Sequence, residues 1–359
     1  MTEISMRNPE LDGGLLRRAG RGAWGLLFGT LGNTLITLCS AVILAMVLPK
    51  LYSWLIGNAI FHGTPDECRA AAGACWAFIG EKFRFILFGT YPADERWRGT
   101  LTIVVLLATL LICMVPRFWS GWLILFWAAS IVVTFWLLLG GLGLPRVRTE
   151  LIGGLPVTLL LGLTTLPLSF PLGLLLALGR QSELWLFRWI SIVMIEIFRG
   201  APLVAVLFMA SVMVPFFTPE GFTPPKLTRA IVAFVLVSGA YTAEALRGGF
   251  QTIPAGQAEA AAALGLSRAQ TLWNVTLPQV LRQSIPALVN IVVPFFKNTS
   301  LVVVIGMTDF LGAISLASRD PVWLGFSIEG YLFAALFYFC FCTLLSAYAA
   351  RIERQNTHH

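Results

Sequence analysis

Stretches free of Asp, Glu, Lys and Arg alternate along the chain with short charged clusters. Six of them stand out by length: 22–49, 99–116, 118–145, 151–179, 200–219 and 330–350. A helix that crosses a bilayer needs about 20 apolar residues, and lipid offers no partner to open backbone groups, so such runs read as helices. Two more, 230–243 and 283–296, are shorter, but each continues through one ionisable residue, Glu244 or Lys297, into further apolar sequence. The pattern predicts an all-α, polytopic integral membrane protein with about eight transmembrane helices. The first run follows Arg17, Arg18 and Arg21, yet it is too long for the apolar part of a signal peptide and lacks a small-residue cleavage site, so it is expected to remain as a helix. Residues 182–217 would make one helix of about 54 Å, too long for a perpendicular span. An interfacial helix from about Leu184, a break near Gly200 and Pro202, and a span beyond them fit better.

Composition narrows the class. Of 359 residues, 57% are hydrophobic and 12% charged, about half the charged share of a soluble domain, which excludes a soluble enzyme. The 25 Lys and Arg against 18 Asp and Glu give a net charge of +7. The basic residues lie in small clusters between apolar runs and form no continuous stripe, so they read as membrane-flanking anchors and not as a nucleic-acid surface. Their split between alternate loops is nearly even, and a long loop such as 51–98 obeys the positive-inside rule poorly, so charge alone does not orient the chain. Cys39, Cys113, Cys340 and Cys342 fall inside apolar runs, whereas Cys68 and Cys75 share the long loop. A disulfide between those two is open if the loop faces an oxidising compartment. The histidines, His62, His358 and His359, have no metal-type spacing with cysteine, and neither a metal site nor a catalytic constellation emerges.

The polar stretch after Glu244 carries strong local signals. Gly248 and Gly249 are expected to interrupt the helix arriving from the membrane, and Pro254 suits a fresh start. Gln257 to Leu264 is almost all alanine with one glutamate, a sequence of high helix propensity. Gly265 can take the left-handed cap that ends it, and Ser267 with Gln270 forms a capping box for a second helix to about Val275, which Leu277 and Pro278 are expected to break. Ala260, Ala261, Ala262 and Ala263 have little bulk and little rotamer entropy to lose, so another protein's groove can close on them at small ordering cost.

The spacing of that stretch is specific. Glu259-Ala260-Ala261, three residues, Gly265, nine residues and Val275-Thr276-Leu277-Pro278 resembles the pattern E-A-A-x3-G-x9-I-x-L-P of bacterial ABC-transporter permeases, with valine for isoleucine. Glu196-Ile197-Phe198-Arg199-Gly200-Ala201-Pro202-Leu203, Ala243-Glu244-Ala245-Leu246-Arg247-Gly248-Gly249 and Lys297-Asn298-Thr299-Ser300-Leu301 resemble segments of the polar amino-acid subfamily, in the family's order over about residues 150–350. The amino-terminal part, with Ala74-Cys75-Trp76-Ala77-Phe78 and Asp94-Glu95-Arg96-Trp97-Arg98 in its long loop, resembles the M-type permease subunit of general L-amino-acid transporters of the Aap/Bzt type.

The resemblance implies a five-helix permease core at 149–350 with a cytoplasmic coupling loop at about 246–284. It implies an accessory three-helix region at 26–148 with a periplasmic loop at 51–98, and cytoplasmic segments at 1–25 and 351–359. Glu259, Ala260, Ala261, Leu264, Gly265, Leu277 and Pro278 would then engage one of the two copies of an ABC ATPase on which the permease pair rests. A related second permease and a periplasmic amino-acid-binding protein complete the expected assembly in the bacterial inner membrane. The chain has no G-x4-G-K-[S/T] phosphate loop, so ATP and Mg are expected on the partner ATPase and no cofactor on this chain, which would itself be no enzyme.

Ionised groups at membrane depth are costly unless paired or lining a wet cavity. Glu196, Arg199, Glu244, Lys297 and Asp309 sit in or at the edges of the runs. An amino-acid zwitterion needs a cation and an anion, and Lys297 with Glu244 is the trial pair; Glu196, Arg199, Asn298, Thr299 and Ser300 complete the substrate-path candidates. The competing reading is a secondary amino-acid transporter driven by an ion gradient, using Glu244 or Asp309 as an ion site.

Overall fold

The computed structural model describes residues 24–118, 120–219 and 223–356. Arg17, Arg18, Arg21, His358 and His359, with most of the 1–25 segment and the end of the 351–359 tail, lie outside the described residues. The chain compacts into two units that divide between Ala77 and Phe78.

In the first unit, α1 (Leu31–Tyr52) starts at Thr30, whose hydroxyl accepts from Asn33 N at 3.2 Å. It is apolar all round and buries none of its side chains, as expected of a helix whose solvent is lipid. The following loop is organised by local bonds. Thr64 and Glu67 form a capping box for α2 (Pro65–Ala70), and Cys68 is joined to Cys75 by a disulfide across 5.5 Å between Cα atoms. Cys75 is fully buried, and its segment is held as Ile60 N donates to Ala74 O and the Trp76 indole to Leu55 O, each at 2.9 Å.

The second unit is a helical bundle. After α3 (Trp76–Phe88) come α4 (Arg96–Cys113), α5 (Trp122–Leu139) and the long α6 (Leu155–Arg180). Next are α7 (Trp185–Gly200), α8 (Leu203–Val212) and α9 (Lys226–Thr252). Two short helices, α10 (Ala255–Ala263) and α11 (Arg268–Thr271), precede α12 (Leu277–Asn298), α13 (Phe310–Ala317) and α14 (Ser327–Asn356). Across the described residues of both units, seven helical stretches are long and apolar enough to cross a membrane, and the pair α7 and α8, bent by 105°, brings the number to as many as eight. The all-α polytopic architecture expected from the hydrophobic pattern is thus the observed one, with the break at Ala201 and Pro202.

α9 is the centre of the unit, packing on α6, α12, α8 and α7. Its approach to α6 depends on glycine: a Cβ on Gly173 would strike Thr242, and one on Gly239 would strike Leu172. Such close crossings replace the hydrophobic drive that lipid cannot supply. α4 and α5 pack on each other, and α4 packs on α6, within the same unit as the later helices. α3 is tied to the loop before α14 by an ion pair from Lys82 to Asp320 and by Phe78 against Trp323.

Two sequence expectations need correction. Gly248 and Gly249 do not interrupt the incoming helix, because α9 runs through both to Thr252. Gly249 serves packing instead, since a Cβ there would collide with Ser284 and the Val280 carbonyl on α12. Nor do Leu277 and Pro278 end a helix. One wide turn at Leu272–Thr276 leads directly into α12, with Pro278 in its first turn, where a missing N–H costs nothing.

Candidate functional site

The stretch between α9 and α12 is a compact knuckle. Pro254 caps α10, and Gly265 takes φ of +78°. Leu266 N donates to Ala261 O and Gly265 N to Ala262 O, at 3.1 and 3.0 Å, the paired bonds of a Schellman ending that need a left-handed residue at this point. The capping box of Ser267 and Gln270 then opens α11. Ala261 and Leu277 face inward, buried, while Glu259, Ala260, Gly265 and Pro278 are exposed. Leu264 is 82% exposed and Trp273 57%, so the knuckle presents apolar side chains outward from a surface of methyl groups. Two bonds brace it from outside: Gln279 Nε2 donates to Gln257 Oε1 at 3.4 Å, and Arg268 pairs with Glu183 in the turn between α6 and α7.

Two to three helix turns before the knuckle, α9 carries a charged cluster that joins three helices. Glu244 accepts two bonds from Arg247, one of them 2.9 Å from Nε. It also lies 3.3 Å from Arg199 on α7 and 3.7 Å from Arg180 at the end of α6, and Arg180 reaches Glu196 at 3.5 Å. A buried apolar group of Leu176, Ala177, Ile195, Ala243, Leu246 and Val280 packs alongside and fixes the helix ends. Three cations against two anions leave the cluster positive. The Arg199 guanidinium also lies 5.9 Å from the centre of the Tyr241 ring, and both line a cavity of about 450 Å³ with Asn290, Pro294, Phe295 and Asn298. A cavity with one guanidinium, two amides and an aromatic wall can take a small polar molecule bearing a carboxylate.

The structure thus brings Glu196, Arg199 and Glu244 into one cluster and sets Asn298 on the neighbouring cavity wall. It does not bring Lys297 to Glu244: Lys297 is exposed, and the charge of Glu244 is met by arginines. Thr299 is buried and its hydroxyl donates to Phe296 O at 2.8 Å, while that of Ser300 donates to Lys297 O at 3.0 Å. These bonds turn the end of α12 into the tight helix Thr299–Ile305. Asp309 lies beyond that helix as the cap of α13, fully buried, accepting from Gly312 N at 2.8 Å. Burial pushes its carboxyl up to about 6, against the lowering pull of the backbone N–H groups of Gly312 and Leu311. Arg180, Arg247, Tyr241 and Asn290 were not singled out from sequence. Tyr241 and Arg247, each three residues from Glu244 on one helix, are readable as its neighbours; Arg180 and Asn290 are near the cluster only because of the fold. Among the described residues, no group of three or more His, Cys, Asp or Glu could hold a metal ion.

Comparison with known proteins fits this geometry. Residues 169–358, which contain the cluster, the cavity and the knuckle, match the family described as the binding-protein-dependent transport system inner membrane component. The chain is 41% identical to the inner membrane amino-acid ABC transporter permease protein YhdY of Escherichia coli K12, over 92% of this chain and 90% of that protein. It is 32% identical to the glutamate/glutamine/aspartate/asparagine transport system permease protein BztC of Rhodobacter capsulatus, over 90% of each. A solved amino acid ABC transporter with histidines aligns with 56% of this chain and 92% of its own at 29% identity and a TM-score of 0.51. A bundle of bilayer-length helices, bent at the expected place and matched over more than half its residues by one family and nearly throughout by full-length relatives, makes this chain a multi-pass member of the inner-membrane permease components of binding-protein-dependent transport systems.

Proposed function

We propose that the chain is the permease subunit of an ATP-driven importer of L-amino acids, and that the knuckle at 255–276 is where a separate ATPase pushes on it. The observation that carries this reading is the preformed knuckle itself, exposed, poor in charge and closed by the left-handed Gly265. Coupling would run through two polar joints. Arg268 to Glu183 links the knuckle to the base of α7, and the Glu244 cluster links α7 to α9 at the cavity wall. Movement of the knuckle would then shift Arg199 against Tyr241 and Asn298, opening the cavity to one side of the membrane or the other. ATP and Mg stay on the ATPase, two copies of which would serve this chain and a related second permease, with a periplasmic binding protein delivering the amino acid.

The disulfide supports one orientation. A bridge between Cys68 and Cys75 belongs in an oxidising compartment, which supports a periplasmic loop after α1. From that loop α4, α5, α6, α8 and α9 make five crossings, an odd number, so the knuckle faces the cytoplasm if α8 spans and α7 lies along the surface. Exposed Trp185, Phe187 and Trp189 on α7 suit an interfacial helix, and on this count both termini are cytoplasmic.

The test is uptake of a radiolabelled L-amino acid into vesicles holding the purified complex with its binding protein. Uptake is expected to require ATP and to survive ionophores that collapse ion gradients. Uptake without ATP, driven by an imposed gradient, would replace this reading with the secondary-transporter one.

A further inference from the structure

The accessory helices α4 and α5 do not close fully on the core. Between them and α6, α12 and α14 lies a slot of about 210 Å³ whose walls include Thr109, Cys113, Trp127, Ser130, Thr164 and Leu345. Its lining runs from inside α4, at Thr109, to Cys113 at the helix end, and its residues fall within stretches long and apolar enough to cross a membrane, where hydrocarbon is the surrounding solvent. Water has no strong reason to enter, because it needs two to four polar partners and the hydroxyl protons here are already spent. Thr109 donates to Val105 O at 2.8 Å, Ser130 to Trp127 O at 2.8 Å and Thr164 to Leu160 O at 2.5 Å, each on its own helix. Left empty, the slot would forfeit the dispersion contacts of its lining.

One end of the slot is marked by charge. Cys113 is the last residue of α4, and its carbonyl accepts from the Tyr348 hydroxyl on α14 at 3.3 Å. Arg117 follows four residues after Cys113, and Arg351 lies three residues after Tyr348. Both are exposed, and neither has an ion-pair partner among the described residues.

We infer that the slot holds one acyl chain of a membrane phospholipid with an anionic headgroup, its phosphate set against Arg117 and Arg351. The lipid is a structural filler between the accessory helices and the permease core, distinct from the amino-acid cavity at Arg199. A chain in the slot completes the apolar packing that the side chains leave open, and two guanidinium groups a few residues beyond the Cys113–Tyr348 bond favour a headgroup of net negative charge.

The experiment uses the purified complex in phosphatidylethanolamine vesicles containing phosphatidylglycerol with a photoactivatable acyl chain. After illumination, peptide mapping should find adducts on Cys113 and Trp127. Ser130→Phe, which puts a ring into the slot, should remove those adducts while leaving adducts on the outward-facing Ile124 and Leu125. A second variant leaves the slot walls intact: Arg117→Gln with Arg351→Gln should lower the preference for retained phosphatidylglycerol over phosphatidylethanolamine, read by native mass spectrometry, by about tenfold or more. Adducts on Cys113 and Trp127 that match those on Ile124 and Leu125 and ignore Ser130→Phe would overturn the acyl-chain site. Equal retention of the two lipids by the parent complex would overturn the headgroup contact.

Discussion

The knuckle at 255–276 and the charged cluster around Glu244 lie within one stretch of chain, yet they are built in opposite ways. The knuckle is made from neighbours in sequence: a proline cap, an alanine run, a left-handed glycine and a capping box, with bonds spanning three to five residues. The cluster is made from helix ends far apart in sequence, with Arg180, Glu196 and Arg199 meeting Glu244 and Arg247. The proposed docking surface would have to hold its shape before a partner arrives, and local bonds do that in water. Charges near the membrane must be paired to be tolerated at all, and pairing them across three helices makes the cluster report on how those helices sit.

Breaking the knuckle should give the largest effect. Gly265→Asp places a Cβ in the left-handed region, at a cost of about 1–2 kcal/mol, and adds a charge to the proposed docking face. Uptake is expected to fall to background with the protein still in the membrane and the ATPase no longer co-purifying. Normal co-purification and transport by this variant would remove the docking role.

Breaking the cluster should give a smaller and different effect. Glu244→Gln leaves Arg180, Arg199 and Arg247 facing one another; the cluster is only partly buried, so the bundle should lose about 1–2 kcal/mol, between the values for exposed and fully buried pairs. The ATPase should still co-purify while uptake drops about tenfold, a loss equivalent to about 1.4 kcal/mol in the coupled step. Loss of the ATPase from this variant as well would mean that the two regions are one structural unit and that the contrast between them is false.

Asp309 should have the smallest effect on transport, since it is a local cap that a remote fold has buried. Its carboxyl is raised to about 6, above the unfolded value, so the folded state holds the extra proton. Stability should therefore be highest below about pH 4 as far as this group is concerned, decline as pH rises to about 6, and level off beyond, a total of about 3 kcal/mol at 1.36 kcal/mol per unit. Asp309→Asn keeps a capping oxygen for Gly312 N and should remove that slope. Thermal melts of parent and variant between pH 4 and 7 check it, and parallel curves would rule out Asp309 as the titrating group.

The same division separates what was legible in sequence from what was not. Apolar runs, the break at Ala201 and Pro202, the Gly265 turn and the Ser267 capping box were readable because each depends on periodicity, length or bonds between near neighbours. Gly248, Gly249 and Pro278 misled for the same reason. Judged locally they are breakers, but Gly249 is needed where α12 presses on α9, and Pro278 is accommodated by the wide turn before it. Lys297 forms no ion pair with Glu244 among the described residues, because opposite charge does not specify proximity. Arg180 and Arg199 reach Glu244 through the crossings of α6, α7 and α9, and those crossings are set by where small residues let backbones approach.

The sequence by itself determined that this chain lives in a bilayer as helices, and that it carries a rigid, methyl-surfaced turn, because hydrophobic length and capping chemistry act within a few residues. Only the tertiary structure decided which arginines neutralise Glu244, which amides face the cavity with Arg199, and where α4 and α5 leave a slot against the core. Those outcomes depend on the packing of helices whose lipid-facing and protein-facing apolar surfaces look alike in sequence.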